Sequence, residues 1–357
     1  MSFSKVYSAQ TNLLAVIPIS VETDISRGTL FAFTIVGLPD KAVEEARDRV
    51  SAAIKNSGFK SPKAKNHKIV VSLAPAEIKK EGPSFDLAIA LSYLMANDEI
   101  EFDPEKKLFL GELSLDGKLR PVHGILPVAR FAKKHGYKEL YVPEENAREA
   151  ALIDGILVFG VQTLSELIEH LIGDSPLDST PLTALSKERV TLPIDFSDVR
   201  GQERAKRGLL IAAAGGHNCA MYGPPGTGKT MLAKAFAGIL PELTFEEALG
   251  ATSIHSVAGT LAETFITNPP FRAPHHTSSY VALVGGGTTP RPGEITLAHT
   301  GVLFMDEFPE FDRRVIESLR QPLEDRVISV SRAKGTAHFP ADVLLLAAMN
   351  PCPCGNF

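Results

Sequence analysis

Several things are scarce in this chain, and each scarcity excludes something. Only three of its 357 residues are cysteines, Cys219, Cys352 and Cys354, too few for a disulfide framework. No apolar run approaches the roughly 20 residues that cross a bilayer, so no membrane partner is expected. The opening Met1-Ser-Phe-Ser-Lys5 lacks the charged region, apolar core and cleavage pattern of a secretory signal, and a cytoplasmic location is the simple expectation. A basic excess is also missing. Lys and Arg number 37 against 42 Asp and Glu, a formal net charge of −5, so any contact with DNA has to be a local patch. What remains is an ordinary globular composition, 44% apolar and 22% charged, and length enough for two domains.

The stretch that organises the rest is Gly223-Pro224-Pro225-Gly226-Thr227-Gly228-Lys229-Thr230. It satisfies G-x-x-x-x-G-K-[ST] at every fixed position. Apolar Cys219 to Tyr222 before it read as a buried strand, and Met231 to Leu240 after it carry apolar residues at helical spacing, which is the context the motif needs. Backbone N–H groups of such a turn point at a polyphosphate, and the helix N-terminus adds its dipole. ATP with Mg²⁺ is the expected ligand pair: Lys229 reaches the β- and γ-phosphates and Thr230 offers its hydroxyl to the metal. Downstream, Gly301-Val-Leu-Phe-Met-Asp306-Glu307 is an apolar run ending in two carboxylates. At the carboxyl end of a parallel strand, Asp306 is expected in the Mg²⁺ shell and Glu307 as the residue that orients the attacking water. Val343 to Asn350 repeats the pattern with an amide at its end, and Asn350 is expected against the γ-phosphate or the water.

The first half reads as mixed α/β. Leu13 to Val21, Thr29 to Val36 and Ile69 to Leu73 look like strands. Asp40 caps a helix carrying Val43, Ala46, Val50, Ala53 and Ile54, closed by Gly58. Lys60, Lys63, Lys65, His67 and Lys68 form a basic loop, open to two readings: a nucleic-acid contact or a solvated turn. An apolar helix spans Leu87 to Met95. Leu108 to Leu115 and Lys118 to Val122 form a hairpin around Asp116-Gly117. Ile125 to His135 is a helix, Glu139 to Val142 and Ile156 to Val161 are strands, and Thr163 to Ile172 is a last helix. A Pro-, Ser-, Thr- and Asp-rich stretch follows, giving a domain over 1–174, a linker over 175–194 and a second domain over 195–357.

Gly82-Pro-Ser84 and Gly111 to Val122 resemble the proteolytic domain of Lon proteases, a ribosomal-S5-like α/β fold. In that family the serine of GPSAG is the nucleophile, and Ser84 matches it, although this chain reads GPSFD. Leu126 stands where the partner lysine belongs, and a serine without a base is a poor nucleophile. Peptidase activity is therefore not expected, and Ser84 is read as the cap of the following helix.

Asp195 to Gln202 resembles the opening of AAA+ ATPase domains, which places Gln202 beside the nucleotide. Between the two nucleotide motifs lies an insertion, roughly Ala251 to Glu294, with Pro269-Pro-Phe-Arg-Ala-Pro-His275-His276. Adjacent histidines are poor geometry for one metal, so they read as structural or contact residues. Arg326 to Phe339 reads as a β-hairpin with Arg332, Lys334 and Gly335 at its tip, either a solvated turn or a loop touching DNA. Phosphate loop, PFRAPHH insertion, LFMDE, hairpin and MNPCPCG appear in the order of the magnesium-chelatase-like branch of AAA+ ATPases. A Lon-like domain in front of that module resembles the ComM/YifB-like family. The resemblance implies a P-loop parallel sheet with helices on both faces. It also implies a hexameric helicase that moves DNA branches during recombination in natural transformation. In that family the chain continues into an arginine finger and a helical lid; this sequence stops at Phe357, so both are expected to be absent here. Cys352 and Cys354 supply half of a possible zinc site, and no zinc is expected. Two other readings remain: the motor subunit of a metal-insertion chelatase, and a protein-remodelling or proteolytic machine.

Overall fold

Strict alternation builds the first sheet. In strand Ala15–Arg27, residues Ile19, Val21, Thr23 and Ile25 are buried, and strand His67–Ala74 buries Ile69, Val71 and Leu73. A period of two puts each set on one face. The sheet order is Phe3–Asn12, Ala15–Arg27, His67–Ala74, Ala32–Val36, with the first two pairings antiparallel and the last parallel. These strands belong to a computed structural model that describes every residue except 1, 13, 29, 65, 185–193, 287–290, 333–334 and 352–357. The chain forms two units, Met1–Ala184 and Leu185–Phe357.

Two helices share a core with the first sheet. Helix Lys41–Asn56 buries Val43, Ala46, Val50, Ala53 and Ile54, and Asp40 caps it by accepting the Val43 N–H at 2.9 Å. Helix Asp86–Ala96 is buried nearly all round, so it runs through the core. A parallel sheet of Lys107–Phe109, Glu139–Pro143 and Leu157–Val161 stands in the same unit. The hairpin around Asp116-Gly117 pairs Leu113 with Leu119 and Glu112 with Arg120.

The structure corrects several local readings here. A strand at Phe3–Asn12 precedes the expected first one, and Leu108 to Leu115 divides into Lys107–Phe109 and Glu112–Leu113. A short helix, Glu144–Ala150, was not expected. Ser84 is not a cap: the N-cap position belongs to Phe85, which makes no side-chain cap bond. Asp86, one residue further on, takes a bidentate hold on Arg49 and accepts the Leu113 N–H. Leu126 is fully buried, and its N–H donates to the buried Glu149 carboxylate at 2.9 Å. The basic loop is shorter than expected, because His67 and Lys68 already belong to a strand and Lys63 pairs with Asp48 at 2.8 Å; Lys65 lies outside the described residues. The Pro- and Ser-rich stretch read as linker remains hydrogen-bonded to the first unit through Leu177, Thr180 and Thr183.

The second unit is a four-stranded sheet in the order Cys219–Tyr222, Leu344–Met349, Val302–Met305, Phe271–Arg272, and every pairing is parallel. All four residues of Val302–Met305 are buried, as a parallel strand covered on both faces requires. Leu209 and Ala213 of helix Glu203–Gly215 pack with Leu232 and Phe236 of helix Lys229–Phe236 against Val302, Phe304, Leu346 and Ala348. Gly301 permits the closest approach in the sheet. A Cβ there would stand 2.0 Å from the Pro270 carbonyl oxygen, the same oxygen that accepts the Val302 N–H at 2.7 Å. Among the described residues no helix is long and apolar enough to cross a membrane.

Candidate nucleotide site

The site forms at the carboxyl ends of adjacent parallel strands. The glycine-rich loop 223–228 leaves strand Cys219–Tyr222 and enters helix Lys229–Phe236 through Gly228, whose φ of +85° is left-handed and suits glycine. Thr227 Oγ1 donates to the Pro224 carbonyl at 2.9 Å, which folds the loop back on itself. Lys229 Nζ donates to the carbonyls of Gly223 at 2.7 Å and Pro224 at 3.0 Å. Its third contact is Asn350 Oδ1 at 2.9 Å, just past the end of strand Leu344–Met349. Gln202, itself at φ +60°, reaches the Thr227 carbonyl at 3.2 Å. All these side chains were singled out in the sequence, and the fold brings them together.

The neighbouring strand brings in the carboxylates. Thr230 Oγ1 donates to Asp306 Oδ2 at 2.7 Å, so hydroxyl and carboxylate share one small volume. Two hard oxygens are a suitable start for Mg²⁺, which takes one or two protein ligands and completes its shell with phosphates and water. Among the described residues there is no group of three or more His, Cys, Asp and Glu placed to hold a metal ion. Cys352 and Cys354 lie outside the described residues.

Glu307 diverges from Asp306. Its φ is +53°, left-handed for a residue with a Cβ, and its N–H donates to Asp306 Oδ1 at 3.0 Å. Such a conformation costs on the order of 1–3 kcal/mol and persists where surrounding contacts impose it. The Glu307 side chain meets His276, with Nδ1 3.0 Å from Oε2. The sequence reads both histidines as structural or contact residues; the fold brings His276 beside Glu307.

The hairpin exists as expected: Val327–Arg332 pairs with Gly335–Pro340, and Arg332 stands opposite Gly335. Its turn, including Lys334, lies outside the described residues.

Comparison with known proteins follows the same division of the chain. The family described as magnesium chelatase, subunit ChlI, matches residues 195–357. A second, described as subunit ChlI of Mg-chelatase, matches residues 21–146. The competence protein ComM of Haemophilus influenzae is 46% identical over 365 aligned positions, covering all of this chain and 70% of that protein. The uncharacterized protein YifB of Escherichia coli K12 is 44% identical over 360, again all of this chain and 70% of that protein. Lon protease 2 of Bacillus subtilis is 33% identical over 119 positions, 32% of this chain and 21% of the protease.

Proposed function

The chain belongs to the ComM/YifB-like family, with a magnesium-chelatase-type AAA+ ATPase module, and on that premise we propose that it is the ATP-hydrolysing body of a DNA motor. One observation carries the ATPase part. Lys229, Thr230, Asp306 and Asn350 converge through contacts of 2.7 to 2.9 Å at the ends of three neighbouring parallel strands. In this reading the loop from Gly223 to Gly228 cradles the phosphates, Lys229 meets their β- and γ-oxygens, and Thr230 and Asp306 hold Mg²⁺. Asn350 faces the γ-phosphate, Gln202 borders the nucleotide, and Glu307 orients the water. The ion supplies charge neutralisation on the phosphate oxygens; the protein groups supply position.

The DNA part rests on the family. A match over all of this chain, and over 70% of the relative, to a protein named for competence supports work on DNA, and the family resemblance supports a homohexameric ring in the cytoplasm that acts on single-stranded or branched DNA. A second reading, the motor subunit of a metal-insertion chelatase, has an observation of its own, since both units match families described as ChlI. The Lon-like half lacks a lysine at Leu126, and proteolysis is not proposed. Steady-state ATPase rates without DNA, with single-stranded DNA and with forked DNA separate these readings. Stimulation by forked or single-stranded DNA supports the DNA motor. An ATPase indifferent to DNA favours the chelatase reading, and absence of any ATPase overturns both.

A further inference from the structure

We infer that residues 174–184 are a releasable strap on the first unit, latched by neutral His170 and freed when that imidazole takes up a proton. The latch is independent of the ATPase reading, because all its contacts lie within Met1–Ala184.

Helix Leu164–Ile172 ends at Gly173, whose φ of +89° is left-handed and turns the chain back. Asp174 and Ser175 still donate to the Glu169 carbonyl. Beyond them the chain forms no helix or strand, and every third residue faces inward. Leu177, Thr180 and Thr183 are half-buried, while the residues between them are exposed. Three residues per turn is the period of a polyproline II chain, a conformation that Pro176 and Pro181 favour. Such a chain makes no hydrogen bonds to itself, so its N–H groups need outside acceptors. All three inward residues find one. Thr180 N–H donates at 2.7 Å to the carbonyl of Val158, on the outer strand of the parallel sheet, and Thr183 N–H donates to the Ala151 carbonyl at 2.9 Å. Thr183 Oγ1 adds a bond to the Arg148 carbonyl at 2.7 Å. Leu177 N–H donates to His170 Nδ1 at 2.8 Å, and the leucine side chain packs against the core.

Two of these three acceptors are carbonyls, which do not titrate. The third is an imidazole nitrogen, which accepts only while it carries no proton. The surroundings of the ring fix that tautomer. Glu139 only accepts, so Tyr141 gives its O–H to Glu139 Oε2 at 2.6 Å and accepts from His170 Nε2 at 3.2 Å. Lys107 Nζ holds the same Glu139 oxygen. Phe159 lies against the imidazole with centroids 4.9 Å apart. On the helix of His170, Glu166 is turned to the N-terminus, where it accepts the Gln162 N–H at 2.9 Å. The carboxylates of the strap, Asp174 and Asp178, are exposed.

Burial holds the imidazole below its usual range, against the pull of Glu139 and with Lys107 adding to the shift. A proton on Nδ1 would point at the Leu177 N–H, donor against donor. Protonation is therefore resisted while the strap is closed, and it opens the strap where it occurs. The latch holds above about pH 6.5 and weakens as pH falls from there through the folded value. Opening adds 174–184 to the segment that joins the two units.

The test is hydrogen exchange of the whole chain, read by mass spectrometry on the fragment covering 174–184 and corrected for the intrinsic pH dependence of exchange. Parent, His170→Ala and His170→Asn are compared at pH 7.5 and pH 5.0. Asn sets an amide oxygen near the place of Nδ1, an acceptor that does not titrate. In the parent, protection of the fragment is expected to fall on the order of 10-fold between the two pH values, while strand Glu139–Pro143 stays protected. His170→Ala is expected to show the low protection at both pH values, and His170→Asn the high protection at both. Parent protection that does not change with pH overturns the inference, as does a His170→Ala strap as protected as the parent's or a His170→Asn strap that titrates as the parent's does. Loss of protection in strand Glu139–Pro143 together with the strap would mean that the whole unit opens, and overturns it as well.

Discussion

Lys229 Nζ and Asn350 Oδ1 lie 2.9 Å apart across 121 residues of sequence. The contact exists because strand Leu344–Met349 inserts between Cys219–Tyr222 and Val302–Met305, which puts the three motifs side by side. The same order sets Lys229 apart from Glu307, which follows the next strand but one, and under the proposed function that distance divides binding from chemistry.

That separation gives the first prediction. Lys229→Ala removes the cation that these contacts place at the loop and is expected to abolish nucleotide binding. Glu307→Gln leaves Thr230 and Asp306 together, and is expected to bind ATP normally while kcat falls on the order of 10²-fold or more. Titration with a fluorescent ATP analogue, beside single-turnover rates, distinguishes the two. Equal loss of binding in both variants would contradict the division of roles.

A second prediction concerns the first unit, where Asp86 is fully buried and held by Arg49 at 2.8 and 3.0 Å. Burial pushes its carboxyl up to about 6, although the Arg49 guanidinium and the Leu113 N–H pull the other way. Removing one partner of a buried pair strands the other. Asp86→Ala is expected to cost on the order of 3 kcal/mol, at the low end for such pairs because Arg49 is partly exposed. Urea unfolding followed by circular dichroism reads this directly; a loss under about 1 kcal/mol would mean that Arg49 escapes to water.

A third prediction is a pH dependence. Burial holds the imidazoles of His170, His255 and His299 below their usual range, for His255 and His299 against nearby carboxylates and for His170 against Glu139 with Lys107 adding to the shift. His170 and His299 are bonded as the neutral form, since His170 Nδ1 accepts the Leu177 N–H and His299 Nδ1 accepts the Asp342 N–H. His255 Nε2 donates to the Leu297 carbonyl at 3.0 Å, a bond that opposes the effect of its burial. The folded histidines bind protons less readily than the unfolded ones. Their stabilisation is therefore complete above about pH 6.5 and is lost as pH falls from there through the folded values. Asp86 has the opposite sign: raised to about 6, it stabilises at low pH and that contribution is lost as pH rises through 6. With three histidines against one aspartate, the urea midpoint is expected to drop between pH 7.5 and pH 6.0. A midpoint that holds or rises would show that the histidines are protonated in the folded chain.

The fourth prediction compares two glycines. At Gly301 a Cβ would meet the Pro270 oxygen at 2.0 Å and its nitrogen at 2.6 Å, whereas at Gly208, inside helix Glu203–Gly215, nothing lies within 4 Å. Gly301→Ala is expected to destabilise by about 1–3 kcal/mol and to lower kcat by displacing strand Phe271–Arg272 against Val302–Met305, the strand that leads to Asp306 and Glu307. Gly208→Ala is expected to be neutral or to stabilise by up to about 1 kcal/mol, because it only adds a better helix former. Thermal melts of both variants check the pair, and similar melting temperatures would remove Gly301 from the argument.

How much of this was legible in the sequence depended on distance along the chain. The phosphate loop and Asp306-Glu307 were readable because their chemistry sits within a few residues and at the end of apolar runs. Strand Phe3–Asn12 was not, since its inward face carries Ser4 and Ser8 beside Val6. Ser4 and Ser92 bond to one another inside the core, and Ser92 reaches Thr23 at 2.7 Å, so hydroxyls occupy places where a pattern reading looks for hydrocarbon. Helix Glu144–Ala150 is too short for a periodic signal. The cap assigned to Ser84 failed because the backbone enters the helix one residue later, where Asp86 is already committed to Arg49. The pairing of His276 with Glu307 needs the order of strands, and one sequence does not carry it.

The last prediction concerns DNA. A net charge of −5 gives no attraction over the whole surface, so binding has to use local basic groups. The hairpin Val327–Pro340 is the best candidate: Arg332 closes its first strand opposite Gly335, and Lys334 falls between them in sequence. The other candidate, the basic loop, is weaker than its composition suggests, because Lys63 is paired with Asp48 and His67 and Lys68 are drawn into a strand. Contacts to phosphate are blind to sequence and weaken with salt, by a slope of roughly one per phosphate neutralised. In a ring the same weak contact repeats around the axis, so affinity is expected to depend on assembly. ATP-bound protein is therefore expected to bind DNA with little sequence preference. Arg332→Ala combined with Lys334→Ala is expected to weaken that binding and flatten its salt dependence, while nucleotide affinity stays unchanged. Fluorescence anisotropy at several salt concentrations, alongside sedimentation to follow assembly, measures both. A double variant that assembles and keeps the parent's salt slope would move the DNA contact away from the hairpin and make Lys60 to Lys68 the segment to substitute next.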